Sequence, residues 1–284
     1  MTHLAALLSI GLYVAATMLF LLQLWRPSRT GRLQRSARML SLCGFVFHTV
    51  TIATVLRDPR FFALDNGADY FLWASWLLAL VFLIFRRWFD YPMLGAFIAS
   101  GVVLFMGSSS YLLHQDAESL VVGGANSERR DLMVSLLHGV PALVATVSLV
   151  LALAVSVVFL IVERRIKRRT ALALEAAGGV SLQLLDRLNT QLVRIGFVAI
   201  SLVIVSGGLW AVMERKSVFT ADTSVVSGLL VWLLLAVVLF VRLVLQWSPR
   251  KISRLTVVVA GSFLLSVFVV LAIAGRTTHV LIGS

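Results

Sequence analysis

Three of the chain's five histidines stand in sequence that could do chemistry: His48 in "FVFHTV", His138 in "LLHGVPAL" and His279 in "GRTTHV". His48 lies inside a long apolar run, His138 near the start of one and His279 just past the end of one. Neutral imidazole is a good ligand for haem iron and for other transition metals. A porphyrin also needs apolar walls and cations for its propionates. Trp73, Trp76 and Trp210 offer the first, and Arg276 and the Arg215–Lys216 pair offer the second. The same residues have plainer uses. A histidine in a span can make a helix–helix hydrogen bond, and tryptophans and arginines commonly anchor a chain at a membrane surface. Spacing alone leaves both readings open. His3 and His114 stand in terminal or polar sequence and carry no assignment. The lone cysteine, Cys43, allows no CxxC motif, no disulfide framework and no Cys-rich zinc site. No nucleophile–base set, P-loop or metal-hydrolase motif is present, so the residues favour binding over enzymatic turnover.

The elements that must position these histidines are membrane spans. The chain has 284 residues, 60% of them hydrophobic and 13% charged, against about a quarter charged in soluble domains. A helix crosses a bilayer with about 20 apolar residues. Eight segments qualify: 4–25, 39–56, 70–86, 91–113, 136–162, 192–213, 224–246 and 255–275. The expected fold is therefore an all-α polytopic membrane protein, a bundle of about eight transmembrane helices forming a single integral membrane domain over 1–284. The first run has no basic residues before it and five arginines after it, the reverse of a cleavable signal peptide, so it is expected to stay as a span.

The net charge of +12 does not point to nucleic acid, because it lies in short segments between apolar runs. Of the 25 Lys and Arg residues, eighteen fall beside or in the loops after spans 1, 3, 5 and 7, and seven on the other side. Such asymmetry places the richer side in the cytoplasm and both termini outside. The bacterial cytoplasmic (inner) membrane is the expected location and the lipid bilayer the first partner. The cytoplasmic loop 163–191 has a basic start, a Gly178–Gly179 break and leucines at 182, 185, 188 and 192. That spacing predicts a short amphipathic helix at the interface. On this topology His48 stands about nine residues into span 2, roughly 14 Å deep at the helical rise. His138 lies within about a turn of the outer surface, and His279 at or just beyond it. Ionisable groups inside the spans are almost absent. Arg194 and Arg242, near cytoplasmic ends, can snorkel. This scarcity weighs against an ion-coupled small-molecule transporter.

"SLQLLDRLNTQLVRIGFVAISLVIVSGGLWA", with Gly196–Phe197 near its start and Gly207 to Ala211 near its end, resembles a stretch of the cytochrome c assembly protein family, the CcsA/CcmC/HemX-like membrane proteins. "FFALDNGADYFLWASWLLALVFLIF" resembles that family's entry into its third span, and "LLHGVPAL…VERRIKRR" its His-bearing span with a basic end. The likeness is nearest to the eight-span YpjD/HemX-like branch. It implies a haem-handling protein that aids c-type cytochrome assembly, with His138 and His279 as an outer-face axial pair for a b-type haem and His48 as a separate intramembrane site. Trp210 and Arg276 would surround the porphyrin, and haem-delivery or cytochrome assembly proteins would be partners. The family's full synthases carry a tryptophan-rich WWD-type segment between two such histidines. Here the corresponding "SVFTADTSVVSGLLVW" keeps Asp222 and Trp232 but lacks the tryptophan platform. HemX-like relatives also imply an alternative, a non-haem scaffold or regulator of haem biosynthesis acting through loop 163–191.

Overall fold

A computed structural model describes residues 2–25, 30–56, 67–85, 91–119, 130–167, 181–213 and 223–282, with side chains left out at several helix ends. All regular structure among them is helical: α1 (Thr2–Trp25), α2 (Thr30–Val55), α3 (Gly67–Phe85), α4 (Pro92–Ser119), α5 (Arg130–Lys167), α6 (Leu182–Met213), α7 (Thr223–Leu243) and α8 (Pro249–Ile282). Among the described residues, eight helices are long and apolar enough to cross a membrane. Helix is the form lipid demands, since it satisfies each backbone N–H and C=O within one segment.

Several helices outrun the apolar segments that announce them. α2 begins at Thr30, not 39, because "TGRLQRSAR" is made largely of good helix formers that hydropathy scores as polar. Arg35 Nε donates to the Gly31 carbonyl (3.2 Å) along this added stretch. Likewise α6 begins at Leu182 and runs unbroken to Met213. The leucines expected on a short separate helix are thus its first turns, since neither Gly nor Pro interrupts 182–195. α8 extends through Arg276 and His279 to Ile282. Between α7 and α8 the turn is sharp. Gln246 takes a left-handed φ of 47°, and the Ser248 carbonyl accepts from Lys251 N (2.9 Å) and Ile252 N (3.2 Å). Pro249, with no N–H to leave unpaired, opens α8.

The chain falls into two compact units. One holds Met1–Gly139 and Ile161–Leu182; the other holds Val140–Leu160 and Gln183–Ser284. In the first, α1 packs on α2 and α4, and α3 on α2 and α4. Close approach depends on small residues, the usual device where lipid is as apolar as the helix itself. A Cβ on Gly95 would come within 2.9 Å of the Phe20 ring, and one on Gly44 within 3.3 Å of Tyr13. In the second unit, Leu149, Val193, Leu235, Ile252 and Ala260 bring α5, α6, α7 and α8 to one buried core. Gly196 lets α6 close on Leu149, where a Cβ would meet Cδ2 at 3.1 Å.

Phe20 is nearly sealed and sits edge-on against Phe82 at 6.1 Å, so its ring has little room to give. Gly95→Val is therefore expected to lower stability by about 1–3 kcal/mol. Adding Phe20→Ala should recover part of that loss in the double variant, measured by unfolding in detergent; additive losses would show that the two positions do not press on each other.

Candidate functional site

The first unit buries a histidine, His48, among polar and aromatic side chains from three helices. α2 places Gly44, His48 and Ile52 at four-residue steps, hence on one face. Tyr13 from α1 lies over Gly44, and its ring meets the imidazole edge-on, centroids 6.1 Å apart at 79°. Ser9, one turn earlier on α1, donates to the Gly44 carbonyl (2.9 Å) and ties the two helices at that level. From α3, Ser75 Oγ lies 3.3 Å from His48 Nε2 and 2.8 Å from the Leu72 carbonyl oxygen. His48 is completely buried. Among the described residues, its Nδ1 and the Tyr13 hydroxyl have no hydrogen-bond partner. Beside it, Trp76 donates from Nε1 to Thr49 Oγ1 (3.0 Å), stacks on Phe45 (5.5 Å, 26°) and meets Trp73 edge-on (5.9 Å, 84°). Trp73 and Trp76 thus pack on α2.

His138 is half-buried near the start of α5. Pro141 lies three residues on, inside the helix. Having no N–H, it cannot supply the helical donor to the Leu137 carbonyl. Trp210 is on the last turn of α6 and 46% exposed. Arg276 and His279 stand one turn apart on the last turns of α8; their side chains lie outside the description. Asp222, Arg215 and Lys216 lie outside the described residues. His48 and His138 fall in the first unit, and Trp210, Arg276 and His279 in the second. A fully buried imidazole with a bare ring nitrogen has the chemistry of a metal ligand. Among the described residues no group of three or more His, Cys, Asp or Glu side chains could hold a metal ion by itself. A porphyrin, whose own nitrogens fill most of the iron's coordination, asks only for axial ligands.

Sequence reading missed Tyr13, Ser75 and Gly44, because nothing in their local pattern marks them as partners of His48. It also missed a charge pair in the second unit. Arg242 donates to Asp186 Oδ2, joining α7 to the first turns of α6, with both side chains largely buried. So Arg242 is paired, whereas Arg194 is exposed. One turn further, Asn189 donates from Nδ2 to Thr256 Oγ1 on α8 (3.3 Å). Phe197 and Trp232 also acquire a structural reason: Trp232 stacks on Phe197 (5.6 Å, 23°) and donates to Ser201 Oγ (2.9 Å).

Arg242→Ala is expected to cost about 2–3 kcal/mol, because it strands a mostly buried carboxylate. The exchanged pair Asp186→Arg with Arg242→Asp should recover most of it in the same unfolding measurement. Equal losses in the single and exchanged variants would assign Arg242 a packing role instead.

A family model described as cytochrome C assembly protein matches residues 66–275. The match takes in His138, Trp210 and Asp222, begins after His48 and stops just before Arg276 and His279. The chain is also 21% identical over 230 residues to the cytochrome c biogenesis protein CcsA of Cyanidium caldarium, covering 72% of this chain and 77% of that protein. No solved structure matches.

Proposed function

The chain belongs to the cytochrome c assembly protein family, a multi-pass membrane family with a role in cytochrome c biogenesis, and from that premise we propose that it carries haem as cargo. His138 and His279 are the proposed outer-side ligands of a b-type haem, and His48 is a separate intramembrane ligand. Trp210, Arg276 and Asp222 form the proposed surroundings of the porphyrin. The proposed setting is a bacterial inner membrane with both termini outside, next to haem-delivery or cytochrome assembly proteins.

The observation that carries this reading is the family match across α3 to α8, a stretch that contains His138. The chemistry at His48 supports it, since a fully buried imidazole with an unpartnered nitrogen has unused ligand capacity. Neutral His at two sites would hold the iron, cationic Arg276 would meet a propionate, and the apolar spans would keep water from the macrocycle. One specific observation favours the rival reading, a scaffold or regulator of haem biosynthesis: "SVFTADTSVVSGLLVW" has no tryptophan platform for presenting haem to an acceptor.

A reduced-minus-oxidised absorption spectrum of the purified protein separates the two. A bis-histidine b-type spectrum is expected in the wild type, and it should be lost in the His138→Ala, His279→Ala double variant. Haem-free wild type from haem-supplied cells would overturn the ligand assignment and leave the scaffold reading. For the topology, alkaline phosphatase fused after Ser284 should be active, and fused after Arg169 inactive. The reverse pattern would invert the orientation and move His138 and His279 to the cytoplasmic side.

A further inference from the structure

The second unit is short of negative charge. Among its described residues the only side-chain carboxylate is Asp186, and Arg242 takes it. No Asp or Glu follows Asp222 in the chain. α8 nevertheless opens with Arg250, Lys251 and Arg254, of which Lys251 and Arg254 are exposed. No other carboxylate among that unit's described residues stands ready to balance them.

Their place decides what can. The apolar span of α7 ends at Leu243 and that of α8 begins at Pro249, so only residues 244–248 lie between two membrane crossings. The headgroup layer on either side of a bilayer is about 5–7 Å deep. So short a connection keeps to that layer, among lipid phosphates.

The turn is also held in one shape. Gln246 takes the left-handed φ of 47° that glycine usually supplies at a helix end. Beyond it, Trp247 N donates back to the Val241 carbonyl (3.1 Å). Val244, Leu245 and Trp247 are all exposed, and tryptophan favours the boundary between headgroups and acyl chains. Lys251 Nζ lies over the Trp247 ring, 5.6 Å from its centroid. An ammonium has three N–H donors, and a ring face engages it without offering an oxygen acceptor.

We propose that the α7–α8 turn is a docking site for an anionic phospholipid, with Trp247 at the acyl boundary and Lys251 and Arg254 on the headgroup phosphate. A free phosphate would match the cations but not the exposed Val244, Leu245 and Trp247. A zwitterionic lipid would bring its own ammonium up against Lys251 and Arg254. This surface property stands whether or not the chain carries haem.

The experiment is fluorine NMR on the full chain, labelled with fluorotryptophan and held in nanodiscs, with Trp247→Phe to assign the Trp247 signal. Phosphatidylcholine is replaced stepwise by phosphatidylglycerol. The Trp247 signal should move and saturate. Lys251→Gln and Arg254→Gln should each raise the half-saturating fraction of phosphatidylglycerol roughly fivefold, the worth of one cation near an anionic surface. Lys251→Arg, which keeps the charge, should stay near the wild type, and this separates charge from packing. A Trp247 signal blind to phosphatidylglycerol, or an unchanged half-saturation in the double Gln variant, overturns the proposal. Inorganic phosphate giving the same shift in pure phosphatidylcholine discs would make the turn a free-anion site. Polyglutamate giving it would make the turn a site for an acidic protein segment. Either result overturns the lipid.

Discussion

In lipid, every polar group must find its partner inside the protein, and most of this structure follows from that constraint. The backbone meets it by being helix. The hydroxyl side chains meet it mostly by turning back on their own helix: Thr17 to the Tyr13 carbonyl, Ser41 to Ala37, Thr51 to Phe47, Ser100 to Ala96, Ser110 to Met106 and Ser201 to Phe197. A hydroxyl satisfied this way puts no demand on a neighbouring helix. Bonds that cross between helices carry the specificity of packing. Ser9 reaches Gly44, Trp76 reaches Thr49, Trp232 reaches Ser201, Asn189 reaches Thr256, and Arg242 reaches Asp186.

Small residues supply the complementary half. Apolar contact with lipid is nearly as good as apolar contact with protein, so helices gain by packing only where surfaces interlock closely. Gly44 under Tyr13, Gly95 under Phe20 and Gly196 under Leu149 are such places. The first of these couples directly to chemistry, because the Tyr13 ring that fills the Gly44 gap is the ring that meets His48. Packing and site are one arrangement there. In the second unit the pattern is repeated with different actors: Gly196 brings α6 against α5, and the neighbouring Phe197 stacks with Trp232.

The bare Nδ1 of His48 is one of several buried side-chain atoms without a partner among the described residues. The hydroxyls of Ser109, Ser156 and Ser253 are also buried without partners among the described residues, so what distinguishes His48 Nδ1 is that it is a basic nitrogen. The Tyr13 and Tyr91 hydroxyls and the amide of Gln23, all in the first unit, are likewise without partners among the described residues. Buried polar groups of this kind are costly, and the ligand role proposed for His48 would use one of them.

The eight spans, their order, the uneven spread of Lys and Arg and the family resemblance were all legible along the chain. Crossing a bilayer depends on the summed hydropathy of about 20 consecutive residues, a local property. Even the misjudged ends have a local cause: α2 and α6 begin in polar but helix-favouring sequence that a hydropathy sum discards. The partners of His48 were not legible, nor was the Asp186–Arg242 pair, 56 residues apart. Each depends on how a helix is rotated about its own axis. In a soluble bundle the apolar stripe reveals that rotation. Here the lipid-facing and core-facing sides are both apolar, as the exposed Val46 and Phe47 beside the buried His48 illustrate. Only the tertiary packing, glycine against ring and hydroxyl against imidazole, decides which side turns inward.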